Sequence, residues 1–147
     1  MSPRLRMLRT IRDARERLRD VAAAHVSAAA QVHARHERVV RGETAALTQA
    51  TEEAGEQLLA ARTVHDLEEV ADELEDKASA VNRALVSAEE ARTATVRATG
   101  LMQERERDLM RAERLMEREG KAQEKAHARL EQFEQDEITA TRWKGPT

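Results

Sequence analysis

Apolar residues recur along this chain with helical spacing. In the first third, Ile11, Leu18, Val32 and Val39 stand seven residues apart or multiples of seven, and Met7, Ala14, Val21 and Ala28 keep step four residues earlier. That is the two-position repeat of a coiled-coil seam, with His25 and Arg35 at two of its sites. Pro3 suits the first turn of a helix. A second seam starts near residue 67. Leu67, Leu74, Val81 and Ala88 occupy one position, and Val70, Ala84, Ala91 and Ala98 the other. A Leu-Met pair then recurs at 101–102, 109–110 and 115–116, and Ala122, Ala126, Leu130 and Phe133 extend the stripe. The Leu-Met pairs suit seam packing, with an adaptable binding surface as the alternative.

Breaks are few. Gly42, with Thr44 behind it, and Gly55 are candidate interruptions. Ala45, Leu47, Ala50, Ala54, Leu58 and Leu59 around them still read as helix. A lone Gly costs a helix about 1 kcal/mol and does not forbid it. Thr63-Val64-His65-Asp66 is the stronger turn signal. Thr63 can cap a new helix with Asp66 three residues on, and Glu68 and Glu69 put negative charge near its start. The pattern therefore predicts an all-α, antiparallel two-helix coiled-coil hairpin forming a single domain over 1–147. Helix 1 spans about 4–62, the turn about 62–65 and helix 2 about 64–141, with a short irregular tail at 142–147. The second helix is the longer, so one end overhangs or the tip folds back. A parallel homodimeric coiled coil is the competing architecture, and the mid-chain turn signal favours the hairpin.

Composition narrows the function. The chain has one Phe, one Trp, no Tyr and no Cys, and 36% of it is charged. Its mean hydropathy is -0.73. Ala, Leu, Val and Met strung between Arg and Glu build narrow helical seams rather than a thick core. No active-site pocket is expected. Zero Cys removes disulfide and thiolate chemistry and fits a reducing compartment. There is no run of 18 apolar residues, so no spanning segment or direct membrane insertion is expected. The Arg-rich start is broken by Asp13, Glu16 and Asp20, which is unlike a secretory signal.

Charge is uneven. Residues 1–41 hold ten Arg and four acids, net +6, whereas residues 42–91 hold three bases and thirteen acids, net -10. Residues 92–147 hold twelve bases and eleven acids. Folding back makes such a chain electrically polar, and the field can orient a docking partner.

Candidate chemistry is sparse. His33 and His36 stand three apart, but with no Cys, no zinc-like spacing and no carboxylate read at a matching i+4 they suit a solvated or seam role. His65 reads as a turn residue. Glu52-Glu53 and Glu89-Glu90 lie on exposed helix with no pocket to shift their pKa values. Without a phosphate loop or nucleophile elbow, no enzyme, catalytic residue, metal or cofactor is expected. Arg4, Arg6, Arg9, Arg12, Arg15, Arg17 and Arg19 could grip phosphates, yet no aromatics are interleaved for stacking. Asp13, Glu16 and Asp20 supply intrahelical partners such as Arg9–Asp13 and Arg12–Glu16. A helix basic all round also suits an acidic protein socket.

Two stretches carry a family resemblance. Leu5-Arg-Met-Leu-Arg-Thr-Ile-Arg-Asp-Ala-Arg-Glu-Arg, and the pair Arg111-Ala-Glu-Arg-Leu-Met-Glu-Arg with Ala128-Arg-Leu-Glu-Gln-Phe-Glu-Gln-Asp-Glu137, resemble the FliJ/YscO family of type III secretion proteins. The likeness spans nearly the whole chain. It implies a cytoplasmic, monomeric hairpin, peripheral to the inner membrane, that acts as central stalk of the flagellar or injectisome secretion ATPase hexamer. On that resemblance, Arg6, Arg9, Arg12, Arg15, Arg111, Arg114 and Arg118 would face the ATPase. Val70, Leu74 and Val81 would contact the export gate protein, and export chaperones would be further partners. The aromatic residues that many relatives carry at the gate-facing positions are missing here. The rival expectations are a dimeric coiled-coil scaffold or adaptor and, behind it, a basic nucleic-acid-binding arm; the stalk implies no nucleic acid.

Overall fold

A computed structural model describes residues 1–143. Two helices account for nearly all of them: α1 (Pro3–Ala60) and α2 (Val64–Trp143). They pack antiparallel as an all-α two-helix hairpin. Of the expected tail, Arg142 and Trp143 belong to α2, and residues 144–147 lie outside the described residues.

The ends and the turn follow from local chemistry. The Leu5 backbone N–H donates to Ser2 Oγ at 3.1 Å and the Arg6 N–H to the Ser2 carbonyl at 3.1 Å. Ser2 is thus an N-cap with Pro3 at the first helical position, where its missing N–H costs nothing. At the turn the Asp66 N–H donates to Thr63 Oγ1 at 3.1 Å. Asp66 Oδ2 in return accepts the Thr63 N–H at 3.3 Å and the Arg62 N–H at 3.1 Å. This is a reciprocal capping box with Asp in the usual Glu place. Neither Gly42 nor Gly55 interrupts α1, and no described residue has a positive φ.

The chain divides into two compact units, residues 1–20 with 103–147, and residues 21–102. In the second unit the seam on α1 runs through Ala22, Val26, Ala29, His33, His36, Val40, Leu47, Ala50 and Ala54. Its counterpart on α2 runs through Val70, Leu74, Val81, Ala84, Ala88, Ala91, Ala98 and Met102. In the first unit Leu5, Leu8, Arg12, Arg15 and Arg19 face Arg105, Leu109, Ala112, Met116, Glu119 and Gln123. These positions alternate steps of three and four, as a coiled-coil seam requires.

The seam expected on α2 is the one observed from Val70 to Ala98, whereas Leu67 and, further along, Ala122, Ala126, Leu130 and Phe133 are exposed. The seam expected on α1 is displaced by one residue. Met7, Ile11, Leu18, Val21, Val32 and Val39 are 37–57% exposed, while the residues one step further on turn inward. One residue rotates the face by about 100°. Both α1 stripes have the same period, and periodicity cannot choose between them. In the second unit the inward stripe is tightest at alanines. Ala22, Ala50 and Ala54 are among the most buried residues, opposite an α2 that presents Ala84 and Ala91.

The Leu-Met pairs split the same way. Met102, Leu109 and Met116, seven apart, point inward, while Leu101, Met110 and Leu115 point out. Within the first unit α2 outruns α1: every residue from 124 to 143 is exposed.

Candidate functional site

All seven arginines expected to face an ATPase fall in the first unit, because it joins residues 3–20 of α1 to the later part of α2. They do not act alike. Arg6, Arg9, Arg111, Arg114 and Arg118 are exposed. Arg111 Nη1 lies 3.6 Å from Asp108 Oδ1, a solvated pair of little energetic weight. Arg12 and Arg15 occupy seam positions. Arg15 reaches across and donates from Nη1 to the Asp108 carbonyl at 2.8 Å. Arg12 Nε sits 2.9 Å from Asp13 Oδ1 but lies off-line for a hydrogen bond and is left without one. Two neighbours complete the surface. Arg4 pairs with Glu119 at 3.4 Å. Arg19 binds Asp20 at 2.8 Å, and this bond raises its pKa.

The residues expected to meet an export gate lie in the second unit and face α1: Val70 is buried, and Leu74 and Val81 are half-buried. The apolar surface offered to a partner beside them is different. Leu58, Leu59, Val64 and Leu67 are 49%, 91%, 71% and 45% exposed around the turn. The Leu58-Leu59 doublet next to the turn signal was the available clue. Gln57, Ala61, Asp66, Glu69, Val70 and Glu73 line a shallow open depression there.

His33 is paired after all. Its Nε2 lies 3.2 Å from Glu37 Oε1, so a carboxylate does stand at the matching i+4 position. His65–Glu69 at 3.0 Å and His127–Glu131 at 3.3 Å repeat the pattern. Among the described residues no three His, Cys, Asp or Glu side chains gather as a metal site. The pKa shifts have surface causes. Hydrogen bonding to Arg92 lowers Glu89, and hydrogen bonding to Lys121 lowers Glu117. The backbone N–H of Arg62, and then Thr63, lowers Asp66. Each is an exposed pair or a cap, and none sits in an enclosed cleft where a reacting group would be tuned.

The fold defines a class: an all-α antiparallel two-helix hairpin, compatible with a coiled coil. No protein family, curated protein or solved structure matches the chain, and among the described residues no helix is long and apolar enough to cross a membrane.

Proposed function

We propose that this chain is a non-enzymatic coiled-coil stalk of a type III protein export apparatus. One copy docks the unit containing residues 3–20 in the secretion ATPase hexamer, promotes its assembly and hydrolysis, and couples it to the export gate. The observation that carries this reading is that both helix ends meet in one unit, with Arg6, Arg9, Arg111, Arg114 and Arg118 exposed around it. A ring with acidic inner loops would hold such a surface through charge and register, and Arg is well suited to carry binding energy there. The exposed apolar cluster Leu58, Leu59, Val64 and Leu67 is the better gate-facing surface. Contact through Val70, Leu74 and Val81 would require the seam to open. Export chaperones remain further partners on this reading.

The test is hydrolysis by the cognate ATPase while the chain is titrated in. Wild type should give a saturable rise. Arg6→Glu/Arg9→Glu/Arg111→Glu should need at least about tenfold more protein for half-saturation. Equal curves for the two proteins reject the docking assignment.

A dimeric scaffold is the second reading. Val21, Val32 and Val39, all 43% or more exposed on one face of α1, favour it. A scaffold of that kind would leave hydrolysis unchanged.

A further inference from the structure

Two apolar features of the first unit have nothing covering them in their own unit. One is the overhang of α2. Continuing the seam spacing past Met116, Glu119 and Gln123 places Ala126, Leu130 and Phe133 at the next inward positions. No α1 residue lies opposite, and Leu130 and Phe133 are 62% and 66% exposed. The other is the outward stripe at the start of α1: Met7, Ile11, Ala14 and Leu18. Leu115, one residue before a seam position on α2, stands on the same flank, since positions preceding the seam face each other in an antiparallel pair.

We infer that two copies of this chain exchange overhangs. Residues 124–143 of each copy lie along the Met7–Leu18 stripe of the other.

Three observations single out a second copy as the occupant. The first is continuity. From residue 121 to residue 143 α2 contains neither Gly nor Pro, so the overhang cannot turn back onto its own α1 without breaking a regular helix. The second is size. Twenty helical residues span about 30 Å, and residues 3–20 of α1 about 27 Å, so one overhang covers one stripe. The third is charge. Residues 124–143 hold five acids and three bases, and four of the acids, Glu131, Glu134, Asp136 and Glu137, cluster around Phe133. The start of α1 carries seven arginines against three acids.

Charge also discards the alternatives. Overhang against overhang brings together two segments of net negative charge, and stripe against stripe two of net positive charge. Overhang on stripe is the pairing that joins unlike charges while burying Leu130 and Phe133. Made twice about a two-fold axis, the contact closes and cannot propagate into a filament. The dimer itself does not rest on the export reading.

The experiment uses the full chain without any ATPase. Sedimentation equilibrium at micromolar concentration should give about twice the 16.6 kDa chain mass. Leu130→Glu/Phe133→Glu should return it to the single-chain mass. Both positions are exposed, and circular dichroism should show the helix unchanged. Because the chain has no Cys, Ile11→Cys and Phe133→Cys proteins can be mixed under mild oxidation. A disulfide between the two different proteins is expected to dominate over either self-linked product. A single-chain mass for wild type at every concentration overturns the inference. So does a doubled mass that survives the Glu substitutions, or Phe133→Cys linking chiefly to itself.

Discussion

Arg12 and Arg15 show how far identical residue types diverge when one helix face turns inward. Arg15 spends its charge on the Asp108 carbonyl across the seam, a charge-assisted bond that helps hold the first unit closed. Replacing it with Ala should cost about 1.5–3 kcal/mol. Arg12 sits at an equivalent seam position with an unsatisfied buried Nε. Exchanging it for Leu removes that penalty and adds apolar seam surface, so Arg12→Leu should be neutral or stabilising by about 1 kcal/mol. Urea denaturation of the two variants beside wild type reads both effects, and equal losses would contradict the assignment. The arginine run was legible in the sequence as basic and amphipathic. Which members face water was not, because that depends on where the partner helix lies.

Among the elements, the capped turn between α1 and α2 was the most readable. Thr63 and Asp66 are local chemistry, three residues apart, and need no tertiary context to bond one another. Asp66 titrates below the usual carboxylate range because the backbone N–H of Arg62, then Thr63, holds its charged form. Its folded pKa is depressed, so its stabilisation is complete above the ordinary value and is lost as pH falls through the folded one. Asp66→Asn should flatten the acid side of a stability–pH curve relative to wild type; coincident curves would show that the cap carries none of it. The glycines were less readable. A Cβ added at Gly42 or Gly55 meets nothing within 4 Å, so both are ordinary helical positions bearing a poor helix former. Gly42→Ala and Gly55→Ala should each raise stability by up to about 1 kcal/mol, measured by thermal or denaturant melting. A loss at either would contradict the open surroundings of that position.

Considered as a whole, the molecule places its least supported segment where α2 outruns α1. A lone helix of about 20 residues is marginal in water. Amides of residues 124–143 should therefore exchange far faster than those of residues 105–123 in dilute protein. If overhangs are exchanged between copies, protection there should rise with concentration while the seam amides stay constant. Hydrogen exchange at two concentrations resolves this segment by segment. Sequence alone determined the helical class, the two elements and their junction, and the α2 seam, because Ala-rich and Leu-rich positions at three–four spacing, a capping box and the lack of internal Pro are all local signals. It also placed the Leu-Met pairs at seam spacing, though not which member of each pair turns inward. Tertiary structure decided the α1 face. Two stripes of equal period lie one residue apart on that helix, and only packing against α2 selects the inner one. That choice leaves Ile11, Leu18, Val32 and Val39 on the surface and draws Arg12 and Arg15 into the seam.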